Sequence, residues 1–187
     1  MSAKPIPPRP GRGAQAARMA EILRVDQAGE LAAVQIYRGQ RAVLGAAPAH
    51  ARLAVQLAEM EAQEAVHLAR FDQLLTQRRV RPTAFAPVWR LAGFALGAGT
   101  ALLGEKAIHA CTEAVETVIE GHYAAQVAEL SDRDPQLAAE LGTFRAEELA
   151  HRDQAIEDGA HQAPGYALLS AVIRTGCRAA IRLSEKI

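Results

Sequence analysis

The sequence predicts an all-α fold, a bundle of four long helices with an additional helix at the C-terminus. Three observations carry this expectation. Alanine and leucine dominate the chain while aromatic residues make up only 4% of it, a composition that favours helices over sheets. Apolar residues recur at spacings of three and four through long stretches, the period of a helix face. Prolines fall outside those stretches or in their first turn, where helices start. A length of 187 residues suits one well-buried core, so a single domain is expected.

Residues 1–13 read as a disordered basic tail, because Pro5, Pro7, Pro8 and Pro10 stand among Lys4, Arg9 and Arg12. The apolar run of a secretory signal is absent from this tail, which disfavours export. The folded domain is expected over residues 14–187. Its first helix runs from Ala14 to Leu44, with Ile22, Val25, Gly29, Ala33, Ile36 and Tyr37 on one face. The second runs from Pro48, an N1 proline, to Thr76, with Leu53, Leu57, Met60, Glu64, His67, Leu68, Phe71 and Leu75 on one side. A third helical pattern extends without a break from Ala86 to Leu130, and its first half carries Gly93, Gly97, Gly99 and Gly104. Asp134 before Pro135 reads as an N-cap followed by N1, opening a fourth helix to Gly159. A fifth begins near Pro164 and reaches the C-terminus.

Twenty-one basic side chains balance 21 acidic ones, so no global field draws the chain to nucleic acid, and no nucleic-acid partner is expected. Cys111 and Cys177 form no CxxC pattern and lie inside helical stretches, which suits buried thiols rather than a disulfide framework.

Two short motifs carry the chemistry: Glu64-Ala65-Val66-His67 and Glu148-Leu149-Ala150-His151. Three residues advance a helix by about 300° and roughly 4.5 Å, so a Glu-x-x-His presents a carboxylate and an imidazole from one face toward a common ion. A single such motif usually marks a solvated, salt-bridged face. Here each copy follows another glutamate at nearly the same distance, Glu30 lying 34 residues before Glu64 and Glu116 lying 32 before Glu148. That pseudo-repeat matches the ligand set of ferritin-like four-helix bundles, a glutamate from each of two helices and a Glu-x-x-His from each of two others. Glu30 and Glu116 sit among apolar neighbours, where uncompensated carboxylates would cost several kcal/mol each or protonate. Two divalent cations would offset four glutamates.

Four carboxylates and two imidazoles without a thiolate suit iron, with manganese as the alternative, better than structural zinc. The bundle pattern assigns Glu64 and Glu148 as bridges and Glu30 and Glu116 as terminal ligands, with His67 and His151 on one ion each. Glu61, Glu113, Glu120 and Glu147 read as solvent-facing or helix-pairing charges. Asp26, one turn before Glu30, is a candidate acceptor for a ligand histidine. His50, His109 and His161 lack a carboxylate in register and read as surface or core residues.

The strings around these residues resemble the demethoxyubiquinone hydroxylase family from about Ala20 to the end of the chain. The segments that carry the likeness are Arg24 to Glu30 (RVDQAGE), Ala92 to Gly104 (AGFALGAGTALLG), Ala110 to Glu116 (ACTEAVE), Glu147 to His151 (EELAH) and Cys177 to Lys186 (CRAAIRLSEK). Gln27 and Ala150 depart from the family's usual histidine and acidic residue, neither at a ligand position. The resemblance implies ring hydroxylation of a polyprenyl methoxy-benzoquinone, using dioxygen at a di-iron centre with electrons from NADH. It also implies that His122 and Tyr123 correspond to a His-Tyr pair near the metals that serves electron or proton delivery. No nucleotide-binding domain is evident, since Gly97, Gly99 and Gly104 follow no strand and lack the fingerprint spacing, so NADH would bind transiently or act through another component.

A polyprenyl quinone resides in a bilayer, and two segments offer contact with one. Leu91 to Gly104 are 14 uncharged residues, too few for a usual span but suited to an interfacial segment, with Trp89 and Arg90 at its start. The other reading is a buried helix whose small residues allow close packing. Arg174, Arg178, Arg182 and Lys186 recur every four residues, which suits either anionic headgroups or a plain solvated face. The expectation is a peripheral protein on the cytoplasmic face of the cell membrane, with a homodimer or a lipid-binding protein as further partners of the apolar third helix. Rival readings are an iron-oxidising or storage protein, a hydroxylase of transfer-RNA nucleosides, and a metal-free membrane-binding helical module.

Overall fold

The computed structural model describes residues 12–45 and 47–186. The proline-rich part of the expected tail lies outside them. Six α-helices follow in order: α1 Arg12–Leu44, α2 Ala51–Arg78, α3 Ala86–Leu102, α4 Glu105–Leu130, α5 Pro135–Glu157 and α6 Tyr166–Lys186. Short 3-10 turns at Pro48–His50 and Ala160–Gln162 lead into α2 and follow α5, and no strand occurs among the described residues. Helices α1 and α2 pair, α4 and α5 pair, and the two pairs make the four-helix bundle. Helix α3 lies along α1, while α6 packs on α4 and α1.

The expected third helix is two helices. Gly104 adopts φ 104° and ψ 173°, a backbone region that residues with a Cβ rarely enter, and its carbonyl accepts from the first amides of α4. The chain turns there, so α3 leaves the bundle and α4 enters it. The glycines of α3 act in packing: a Cβ on Gly97 would overlap the Ile36 carbonyl, and one on Gly39 would overlap the Phe94 carbonyl. These two contacts let the α1 and α3 backbones approach closely.

Other boundaries follow local chemistry. Arg79 ends α2 in the left-handed conformation, φ 55°, while Val80 N–H donates to the Leu75 carbonyl at 2.8 Å. Asp134 caps α5 as expected, accepting from Leu137 N–H at 3.2 Å with Pro135 in the first turn.

Two apolar clusters fill the bundle. One gathers Ile22, Leu23, Phe71, Leu141 and Phe144 with the ring of Tyr123, and the other gathers Leu44, Leu53, Leu57, Met60 and Ile108 with the ring of Tyr37. Between them lies a layer of buried charge.

Candidate metal centre

Each bundle helix contributes to that layer at its middle. Glu30 comes from α1, Glu64 and His67 from α2, Glu116 from α4, and Glu148 and His151 from α5. All six are buried: the four glutamates are 1% exposed, His67 2% and His151 5%. They fall into two overlapping groups, Glu30-Glu64-His67-Glu148 and Glu64-Glu116-Glu148-His151. Within each group one donor atom per residue lies within 4.8 Å of the others. Glu64 and Glu148 belong to both groups, the placement of two carboxylates shared between two centres.

The side chains aim inward. His67 Nδ1 lies 3.3 Å from Glu148 Oε1 and 3.6 Å from Glu30 Oε2, and His151 Nδ1 lies 3.2 Å from Glu64 Oε1. Glu30 Oε2, Glu64 Oε1, Glu116 Oε2, both Glu148 oxygens and both Nδ1 atoms are buried without a hydrogen-bond partner among the described residues. Orphaned buried polar atoms are costly and rare in folded proteins. Seven such atoms facing one volume fit a pair of divalent cations, which would satisfy all of them with hard oxygen and imidazole donors.

Electrostatics of the bare cluster agree with that fit. Burial pushes the Glu116 carboxyl well above its usual range, and the Glu148 and Glu64 charges push it further. Burial also raises Glu64, against the lowering effect of His151 and His67. Burial alone would lower the histidines, but the carboxylates overcome it. Glu148 and Glu64 raise His151 to about 9, and Glu148, Glu30 and Glu64 raise His67 further still. Without cations the cluster therefore holds protons in their place.

Two tyrosines close the site. Tyr37 OH donates to Glu116 Oε1 at 3.0 Å, and Tyr123 OH donates to Glu30 Oε1. Burial raises both phenols well above their ordinary value, so they remain donors. Four helices of one bundle thus deliver a near-symmetric set of four carboxylates, two imidazoles and two phenols.

Comparison with known proteins gives the family of the chain. Residues 17–184 match the family described as "Ubiquinone biosynthesis protein COQ7". The chain belongs to this family. It is 53% identical over 178 residues to the 3-demethoxyubiquinol 3-hydroxylase of Rhodospirillum rubrum, covering 95% of this chain and 82% of that protein. It is 46% identical over 170 residues to the human mitochondrial NADPH-dependent 3-demethoxyubiquinone 3-hydroxylase, covering 89% and 76%. The mitochondrial 5-demethoxyubiquinone hydroxylase of Saccharomyces cerevisiae is 41% identical over 189 residues, covering 93% and 80%.

Within this COQ7-family chain one neighbouring residue departs from its sequence-based expectation. Asp26 does not reach a histidine of the cluster; Gln126 Nε2 donates to its Oδ1 at 2.7 Å, and His122 Nε2 lies 3.6 Å from the same oxygen. The acceptors for the ligand-type histidines are Glu147, 2.5 Å from His67 Nε2, and Gln63, 2.5 Å from His151 Nε2. Glu147, read as a solvent-facing or helix-pairing charge, is both: it is exposed and pairs α5 with α2 through His67. Glu113, read in the same way, takes the helix-pairing role: it is buried and joins α4 to α6, held by Arg174 at 2.5 Å and Tyr166 at 3.1 Å. Glu61 and Glu120 do pair with neighbouring helices, through Arg38 and Arg145.

Of the His-Tyr pair, Tyr123 touches the cluster and His122 stands one layer behind, 2.8 Å from Gln126 Nε2 and lining a cleft between α4 and α6. Tyr37 escaped notice as more than a core residue. Its signal was present, since Tyr37 follows Glu30 by the same seven positions by which Tyr123 follows Glu116. Gln27, the departure from the family's histidine, donates to Asp72 at 3.0 Å and lies outside both ligand groups.

Proposed function

We propose that this chain hydroxylates the ring of a polyprenyl demethoxyubiquinone or its quinol, a late step of ubiquinone biosynthesis, at a pair of iron ions. The ions would be held by Glu30, Glu64, His67, Glu116, Glu148 and His151, with Glu64 and Glu148 shared. The overlap of the two buried groups at those two glutamates carries the reading, joined to the hydroxylase names of close relatives. When bound, such a pair activates dioxygen with electrons that the reading assigns to NADH. The residues of the chain set the conditions. Glu30 and Glu116 accept from Tyr123 and Tyr37, which orients each carboxylate before any cation arrives. The apolar clusters on either side keep bulk water away from the layer. Tyr123 meets Glu30, while His122 and Asp26 are joined through Gln126 in a separate polar group on the side of the α4–α6 cleft, and these two groups together are the proposed route for protons or electrons.

Substrate access is supported by an apolar pocket of about 90 Å³ among α1, α3, α4 and α6, lined by Ala33, Ile36, Trp89, Val115, Ile181 and others. Ala33, Ile36 and Val115 also line a void beside Tyr37 and Glu116 that is too small for a water molecule, so these three side chains mark the proposed apolar path from the helix surface to the carboxylate layer and would have to shift to open it. Trp89 lines this pocket and buries its indole nitrogen.

Leu91 and Leu102 on α3, 72% and 77% exposed, and Leu168 and Val172 on α6, 72% and 62% exposed, lie on the two helices that flank the path. These side chains favour seating on a lipid surface, where a polyprenyl tail resides. No helix among the described residues is long and apolar enough to cross a membrane. The proposed location is the cytoplasmic membrane face. An iron-storage role has no use for this apolar path, and a metal-free module has no use for the buried carboxylates.

The test is turnover of iron-loaded protein with a demethoxyquinone, NADH or NADPH, and isotopically labelled dioxygen. Mass analysis should find one labelled oxygen atom in the ring, and Glu116→Ala should abolish that product while leaving a helical spectrum. Turnover retained in Glu116→Ala would refute the ligand set.

A further inference from the structure

The distal nitrogens of the two cluster histidines carry a reciprocal pair of hydrogen bonds. His67 of α2 directs Nε2 at Glu147 Oε2 of α5, and His151 of α5 directs Nε2 at Gln63 Oε1 of α2, each at 2.5 Å. Gln63 immediately precedes Glu64 and Glu147 immediately precedes Glu148. Each Glu-x-x-His helix therefore supports the other helix's imidazole, using the residue just before its own shared glutamate.

We propose that Gln63 and Glu147 are positioning residues that fix both imidazoles with Nδ1 toward the cations and, being one neutral and one anionic, make the two cation positions unequal. The position bounded by Glu30 and His67 is the tighter one. This rests on the metal reading of the cluster.

A carboxylate oxygen and an amide oxygen can only accept, so each Nε2 must carry its proton and donate. In a neutral imidazole that leaves the Nδ1 lone pair free, and in both residues Nδ1 is the atom facing the glutamates. The tautomer needed for ligation is thus set by a residue outside the ligand groups.

The hydrogen bonds made directly to the six side chains are otherwise matched: Tyr123 on Glu30 mirrors Tyr37 on Glu116, and Glu64 and Glu148 serve both groups. The symmetry breaks at residue 63 against residue 147. A hydrogen bond to a carboxylate is roughly twice as strong as one to a neutral amide, and it makes the donating imidazole a more basic ligand. Glu147 is 46% exposed and has no arginine or lysine in ion-pair range among the described residues, so its charge is not spent on another partner. Both positions open onto a cleft of about 480 Å³ between α2 and α5, so exchanging amide and carboxylate there leaves the apolar clusters intact.

The experiment titrates Co2+ into the metal-free full chain, followed by calorimetry and by visible absorption, with no turnover required. The wild type should bind two Co2+ in two steps separated by roughly tenfold or more in affinity. Glu147→Gln should weaken the tighter step by about tenfold and Gln63→Glu should strengthen the weaker one, so in either variant the steps converge. The double exchange Q63E/E147Q should separate them again, an outcome that general structural damage would not produce. Circular dichroism of the metal-free variants checks their fold, and Gln63→Glu carries the test alone should Glu147→Gln misfold. Two equal steps in the wild type, or single variants that leave the separation unchanged, overturn this inference and leave the metal reading standing. Absence of Co2+ binding overturns both.

Discussion

Tyr37 donates its hydroxyl to Glu116 across the core at 3.0 Å, with both residues 1% exposed. The bond from Tyr123 to Glu30 is its counterpart between the same two helices, running from α4 to α1 instead of from α1 to α4. Each phenol orients the carboxylate that would otherwise have one oxygen free to turn. In the metal-loaded chain these glutamates are ionised, so each bond is one to a charged group, worth about 1.5–3 kcal/mol. Tyr37→Phe and Tyr123→Phe should each lower the unfolding free energy of the loaded protein by that amount, measured by urea denaturation. An unchanged midpoint and slope in either variant would show that its phenol does not hold the carboxylate.

The bare cluster predicts an inverted pH response on metal removal. Folding raises Glu64 and Glu116 above their ordinary 4.5, and raises His151 from 6.5 to about 9. The folded metal-free chain therefore binds more protons than the unfolded one. Its stability from these groups is full below about 4.5 for the glutamates and below about 6.5 for His151, and it is lost as pH climbs through the raised folded values. Cations displace those protons, so metal binding strengthens over the same interval. Thermal melts from pH 5 to pH 9 should show the metal-free protein losing stability while the gain on adding Co2+ or Fe2+ grows. A metal-free melting point that rises steadily toward pH 9 would contradict the protonated cluster.

The sequence makes the ligand pattern legible because helical geometry converts spacing into direction. Glu64 with His67 and Glu148 with His151 must share a face once the segments are helical, and the preceding glutamates repeat at nearly equal intervals. What lies between helices is less legible. Asp26 reads as a partner for a histidine because it sits one turn from Glu30, yet the packing of α4 turns it toward Gln126. Glu147 reads only as a solvent-facing or helix-pairing charge, because nothing within its own helix shows that α2 brings His67 to it. The single helix expected across residues 86–130 fails at one position, Gly104, whose φ of 104° no periodicity reveals.

The α1–α3 contact gives a paired prediction about glycine. A Cβ at Gly97 would meet the Ile36 carbonyl, which is backbone and cannot swing away. Gly97→Ala should destabilise the protein by about 1–3 kcal/mol or more through overpacking. Gly99, two residues on in the same helix, has nothing within 4 Å of a built Cβ. Gly99→Ala should stabilise by up to about 1 kcal/mol from helix propensity alone. Thermal denaturation of the two variants should therefore move in opposite directions, and equal shifts would argue against close backbone packing of α3.

The basic stripe of α6 is not uniform, and its members should behave differently. Arg174 is committed to the buried Glu113 at 2.5 Å, while Arg178 and Arg182 are exposed and form no ion pair among the described residues. Removing Arg174 strands a buried carboxylate that keeps only Tyr166 and Thr117 as donors, so Arg174→Ala should cost about 3 kcal/mol of stability. Arg178→Ala/Arg182→Ala should stay within about 0.5 kcal/mol of the parent. Near an anionic bilayer each free basic residue is worth about 1 kcal/mol. The double variant should therefore bind vesicles rich in an anionic lipid roughly 30-fold more weakly at low salt, with no change on neutral vesicles. Sedimentation of both vesicle types across a salt series reads this directly. Equal binding by parent and double variant would mean that this face of α6 is solvated and that membrane contact, if made, rests on the apolar side chains of α3 and α6.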